Sequence, residues 1–181
     1  LPDSDRVELT MNLKKKQRLI LWIRKPDWAD KATLIINGKA EQLLLGNDGY
    51  WMIDKVWNRK NRISLQLPMH TYTENLIGTG RYVALLYGPY VLAGRMGKEN
   101  LPSTFWGKMN NTAMNKMDLS KVPVFNIPAT QIPDHVEPVF ERGTLRFNIH
   151  LKGFENVVLE PFYKIHFERY AIYWPTASSN E

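Results

Sequence analysis

The chain has 181 residues, 44% of them hydrophobic and 23% charged, with a formal net charge of +6 and no cysteine. That length suits one domain, or one sandwich with a large insertion, and can bury a core without covalent staples. The absence of cysteine excludes disulfides, thiolate nucleophiles and cysteine-bound metals, and no apolar run approaches the roughly 18 residues of a membrane span.

In chain order, Leu1-Pro2-Asp3-Ser4-Asp5 is acidic and leads into no apolar stretch, so it is not read as a signal peptide. Without an initiator Met the sequence reads as a piece of a longer protein, and its compartment stays open; a periplasmic or secreted parent is the expectation. Val7, Leu9, Met11 and Leu13 alternate with polar residues, as in a half-buried strand with one wet face. Lys14-Lys15-Lys16 follows as the one tight basic cluster. Lying between two strands, it reads as a solvated turn, and no nucleic-acid partner is expected. Leu19, Leu21 and Ile23 form the next alternating strand, stopped by Pro26. Ala32, Leu34 and Ile36 lead into Asn37-Gly38, a strong hairpin signal because a type I′ turn needs positive φ at both positions.

Further turns at Asn47-Asp48-Gly49 and Arg59-Lys60-Asn61 flank a strand from Tyr50 and precede one at Ile63, Leu65 and Leu67. Val83 to Tyr87 is apolar on both faces and should be a central strand; Gly88-Pro89 breaks it before Tyr90 to Ala93. Residues 95–135, rich in Gly, Pro and Asn, read as a long irregular loop or arm, with one helical turn expected at Asn110 to Asp118. Leu145 to Leu151, Val157 to Leu159 and Ala171 to Trp174 are the last strands. The predicted architecture is all-β: an antiparallel, jelly-roll-like β-sandwich with strands in 1–94, an irregular insertion over 95–135, and closing strands of the same sandwich in 136–181.

Candidate chemistry is sparse. His70, His135 and His150 match no zinc-ligand spacing, so neither a metal nor a cofactor is expected, and His150 reads as a solvent-facing strand residue. Glycoside hydrolysis needs two carboxyl groups, yet Glu137 with Glu141 and Glu155 with Glu160 carry no supporting pattern. No catalytic residue is therefore assigned. The densest constellation is C-terminal: His166, Arg169, Tyr170, Tyr173 and Trp174. One reading is structural, with Tyr170, Ile172 and Trp174 on one buried face and Arg169 or His166 meeting a carbonyl or a carboxylate such as Glu160 or Glu168. The other is a sugar-facing patch, since aromatic faces stack on sugar rings. Aromatic residues dominate cores and interfaces, which favours the structural reading. Trp22, Trp28, Trp51, Trp57 and Trp106 could form a carbohydrate platform, but most are expected in the core.

Several segments together resemble one family. Leu21-Trp22-Ile23-Arg24-Lys25-Pro26-Asp27-Trp28 is similar to its L-x-I-R-x-P-x-W strand, and Leu65-Gln66-Leu67-Pro68-Met69 to its L-x-L-P-M element. Arg81 to Ala93 is similar to its R-x-A-L-x-x-G-P-x-V segment. Pro161-Phe162-Tyr163 and the run from His166 to Trp174 resemble a Bacteroidetes-type subgroup. The family is the β-L-arabinofuranosidase-like glycoside hydrolases, family 127 and relatives. The resemblance implies a C-terminal β-sandwich region whose partner is an α/α-barrel catalytic domain of the same parent chain, where a cysteine–zinc cluster and a glutamate do the chemistry. None of those residues can be placed here. Two functions follow as expectations: a non-catalytic accessory domain of a hydrolase of arabinose-containing or related plant glycans, or alternatively a carbohydrate-binding module with carbohydrate as a further partner.

Overall fold

The computed structural model describes residues 4–46, 48–78, 80–98, 122–141 and 144–177. Helical turn 110–118 and Trp106, considered above, lie outside the described residues. All strand-to-strand pairing among the described residues is antiparallel, apart from an isolated parallel bridge between Phe125 and Thr176. The chain divides into two compact units, Leu1–His70 and Thr71–Glu181. The stretch 1–94 therefore spans both. Pro68 follows the last strand of the first unit, and each unit closes on its own apolar cluster.

The first unit holds two sheets around one core. One sheet has the order β1 (Arg6–Asn12), β7 (Lys60–Gln66), β3 (Thr33–Ile36), β4 (Lys39–Glu41); the other has β2 (Gln17–Arg24), β6 (Tyr50–Trp57), β5 (Leu44–Leu45). Their inward residues, among them Leu34, Ile36, Trp51, Ile53, Trp57, Ile63 and Leu65, form a single cluster. The turn between β3 and β4 has φ 51° at Asn37 and 82° at Gly38, so the predicted type I′ geometry is present. Asn37 is locked further, its side-chain oxygen accepting from Arg62 N at 2.8 Å. A left-handed conformation costs a side-chain-bearing residue about 1–2 kcal/mol. Gly38→Val is therefore expected to lower the urea midpoint of the first unit by a loss of about that size, while Lys39→Val next to it leaves the midpoint nearly unchanged.

The second unit is one curled sheet in the order β11 (Val136–Glu141), β12 (Thr144–Ile149), β13 (Val158–Pro161), β10 (Tyr90–Arg95), β9 (Tyr82–Tyr87), β15 (Tyr173–Pro175). Beside this path, β8 (Thr71–Asn75) pairs with β9, and β14 (Tyr170–Ala171) pairs with β10. Strand β9 is central: β8 runs along one side, and β10 followed by β15 along the other. Val83 and Leu85 are buried on one face and Leu86 on the other, with Ala84 half-buried beside it, as the doubly apolar sequence predicts.

The described end of the irregular stretch packs into this core. Phe125 stacks on Phe154 with ring centroids 4.3 Å apart. Ile132, on the 3-10 helix Ala129–His135, is fully buried.

Candidate functional site

The C-terminal constellation is split by the fold. Tyr170 and Ala171 pair with Arg95 and Gly94 of β10, after which the chain bends at Ile172 and continues beside β9. A bend that inserts one residue resets the two-residue alternation of a strand. Ala171 and Trp174 therefore both face the core, while Tyr170 and Tyr173 are exposed. The expectation that Tyr170, Ile172 and Trp174 share one buried face is corrected here: Tyr170 lies outside and Ile172 is half-buried at the corner.

Trp174 is fully buried, with its ring centroid 6.0 Å from that of Phe125 and 5.8 Å from that of Phe154. Gly94 makes the space for it. A Cβ built on Gly94 would stand 2.5 Å from the indole Cη2, closer than real atoms approach. The indole N–H has no acceptor among the described residues, which costs about 1–3 kcal/mol against the gain from burying the ring.

On the sheet face turned away from that core, Ala93 lies opposite Glu160 and Arg95 opposite Tyr170. After β13, the 3-10 turn Phe162–Lys164 and the loop behind it fold back over this face. Tyr163 approaches Tyr90 at 5.6 Å and Phe162 approaches Tyr170 at 4.8 Å between ring centroids. The loop reverses at Phe167, whose φ of 58° is left-handed. It returns to β10 through two backbone bonds, Arg169 N to Gly97 O at 3.0 Å and Met96 N to Arg169 O at 2.9 Å. His166 is exposed near the tip of this loop, and Arg169 is half-buried at its base.

Arg95 ties the loop to the sheet. Its Nη2 donates to Glu160 Oε2 at 2.7 Å and its Nη1 to Glu168 Oε1. Arg146 Nε donates to the other oxygen of Glu160 at 2.9 Å. Glu160 and Glu168 keep only 3% and 6% of their side-chain surface in water, against 37% for Arg95. Burial alone would push the Glu160 carboxyl up, but hydrogen bonds and charge from Arg95 and Arg146 outweigh it and hold the group below the ordinary carboxylate range. The Arg95 guanidinium is raised in turn, first by its hydrogen bond to Glu160.

Sequence reading named Glu160 and Glu168, or backbone carbonyls, as acceptors for His166 and Arg169, and it did not name Arg95 or Arg146. The signal for Arg146 was present: it alternates with Leu145 and Phe147, so it must face away from the core. Glu160 within Val157 to Pro161 was likewise a charge in an apolar run that needed a partner. The link to Arg95 spans 65 positions, which no local pattern reveals.

Other candidate groups stand apart from this network. His150 Nε2 lies 3.0 Å from Glu137 Oε2, both exposed. Glu155 closes on its own loop, both oxygens accepting from Gly153 N at 2.9 and 3.0 Å. Trp51 and Trp57 are buried and Trp28 packs against the same cluster, whereas Trp22 is half exposed. The exposed ring pairs are tilted by 52° and 55°, so they do not form a flat platform for a sugar face.

Comparison with known proteins agrees with the two-unit division. Residues 1–69 match the family described as "Beta-L-arabinofuranosidase, GH127 middle domain", and residues 72–176 match one described as a domain of unknown function (DUF4986). A GH127 β-L-arabinofuranosidase from Geobacillus stearothermophilus T6 superposes with a TM-score of 0.67 at 16% identity, over 97% of this chain and 29% of the other. A protein described as a glycoside hydrolase gives 0.60 at 16% identity, over 98% of this chain and 31% of its own. A further GH127 β-arabinofuranosidase gives 0.56 at 15% identity, over 97% and 30%. These likenesses show the fold, and this chain spans under a third of the length of each. No curated protein matches it at a significant level.

Proposed function

Residues 72–176 belong to the family described as a domain of unknown function, and the chain is part of a GH127-like protein; from that premise we propose that it is a non-catalytic accessory region of a glycoside hydrolase. In this reading it supports an α/α-barrel catalytic domain carried by the same polypeptide, and the whole enzyme acts on arabinose-containing or related plant glycans.

The observation that carries the reading is the state of the carboxylates. A glycosidase keeps one carboxyl protonated as acid, with its pKa raised, facing a second carboxylate across the scissile bond. Glu160, the most deeply buried carboxylate among the described residues of the second unit, has the opposite character. Glu160 is held ionised and has both oxygens engaged by arginines. Glu155 is likewise held low, first by the Gly153 backbone N–H. Such groups serve as structural anions rather than as proton donors.

The test uses the 181-residue chain alone with aryl β-L-arabinofuranosides and other aryl glycosides. Release of the aryl group should not exceed that in buffer. Turnover that vanishes on substitution of a residue of this chain would overturn the reading. Retention on an arabinan gel without turnover would instead favour the carbohydrate-binding module.

A further inference from the structure

The two outer faces of the first unit differ in character. On the four-stranded sheet the outward residues include Arg6, Glu8, Thr10, Arg62 and Ser64, with Arg6 bonded to Ser64 Oγ at 2.8 Å. That is an ordinary solvated face. On the three-stranded sheet, Leu21, Ile23, Trp51, Ile53 and Trp57 turn inward, and alternation sends Ile20 and Trp22 of β2 and Met52, Asp54 and Val56 of β6 outward, with Arg18 and Arg24 toward the ends of β2. The register aligns Trp22, Met52 and Leu44 straight across all three strands. About half of the surface of Ile20, Trp22, Leu44 and Val56 is open. The Trp22 ring reaches over to the far side of the sheet, where a Cβ on Gly46 would stand 3.6 Å from its Cζ3. Asp54 stands on the same face, opposite Ile20 and between Met52 and Val56, and its ion pair with Arg18 at 2.8 Å separates Val56 from the rest of the row.

The edge of the same sheet adds to this. Strand β2 is eight residues long and, among the described residues, pairs with β6 on one side only. Its arginines, Arg18 and Arg24, stand near its two ends, and between them run Leu19 to Ile23 without a charge, a proline or a bulge. Free edges are normally blunted by such devices, and a long apolar one calls for a cover.

We infer that the row formed by Ile20, Trp22, Met52 and Leu44, with the adjoining β2 edge, is the surface on which the remainder of the parent polypeptide docks. This rests on the reading of the chain as an accessory region. A glycan is a poorer occupant, because the row itself presents one indole among aliphatic side chains. A second copy is a weaker occupant than a tethered one. The solved relatives carry about 70% of their length outside the part that this chain covers, and a segment on the same chain acts at an effective concentration in the millimolar range.

The experiment compares Ile20→Thr/Trp22→Thr in the full-length parent protein and in the 181-residue chain, with Phe140→Thr as a more exposed control in the second unit. Threonine keeps strand propensity, so the short chain should lose no more than about 2 °C in melting temperature, while the full-length protein should lose roughly 5 °C or more. The control should change neither. Equal losses in both contexts, or none in the full-length protein, would overturn the docking surface. So would a dimer of the short chain that the double variant converts to monomer, since the occupant would then be a second copy. Turnover by the short chain would instead end the accessory reading, whatever the melting data show.

Discussion

Trp174→Ala is expected to destabilise the second unit by about 3–5 kcal/mol, the range for removing a buried aromatic side chain and leaving a cavity. The indole fills the space between Phe125, Phe154 and Gly94 and lies directly behind β9. It also fastens the last strand of the sheet, which would otherwise fray as chain ends do. Calorimetry should show a large drop in the transition of the second unit. Trp174→Phe should lose less, because it keeps an aromatic ring and removes an indole N–H that has no acceptor among the described residues. Gly94→Ala attacks the same contact from the other side and is expected to cost about 1–3 kcal/mol by overpacking. Combined with Trp174→Phe, Gly94→Ala should cost less than the sum of the two, since the smaller ring makes room for the methyl. Strict additivity would mean that the two positions do not share the contact.

Arg95→Met is expected to cost about 2–3 kcal/mol. Removing one partner of a buried ion pair leaves an uncompensated charge, and the figure is set below the usual range because the Arg95 side chain is over a third exposed. Arg146 still holds one oxygen of Glu160, but Glu168 loses its salt bridge to Arg95.

The pH dependence has a definite sign. In the native protein the Glu160 carboxyl sits below its ordinary value, so its contribution is present at neutral pH and is lost as pH falls through the depressed value. In Arg95→Met the Glu160 carboxylate loses one of the two arginines that favour its anion, so the penalty is largest at neutral pH and shrinks as pH falls and the group takes up a proton. The stability gap between native and variant protein should therefore narrow on acidification. A gap independent of pH would show that Arg95 acts through packing rather than charge.

Much of the fold is legible in the sequence. The alternation at Val7 to Leu13 and at Leu145 to Leu151, the Asn37-Gly38 pair and the doubly apolar Val83 to Leu86 each specify a local geometry that the structure contains. Strand β8, Thr71–Asn75, escaped notice because its residues are polar and it earns its place by pairing with β9 rather than by burial. The boundary at His70 was masked for a related reason. No Gly- or Ser-rich linker marks it, and only the separate closure of two apolar clusters divides the chain there.

The sequence by itself determined that the chain is all-β, where its tightest hairpin turns, and that it carries no thiol chemistry. These follow from composition and from neighbours one to four residues apart, through backbone sterics and side-chain alternation. The tertiary structure decided which groups meet. It exposed Tyr170 and buried Trp174, because the chain steps from β10 to β9 at Ile172 and the alternation resets. It gave Glu160 and Glu168 to Arg95, and it aligned Trp22, Met52 and Leu44 across one outer face of the first unit. Such pairings depend on strand order and register, and a shift of one residue in either would send each of these side chains to the opposite face.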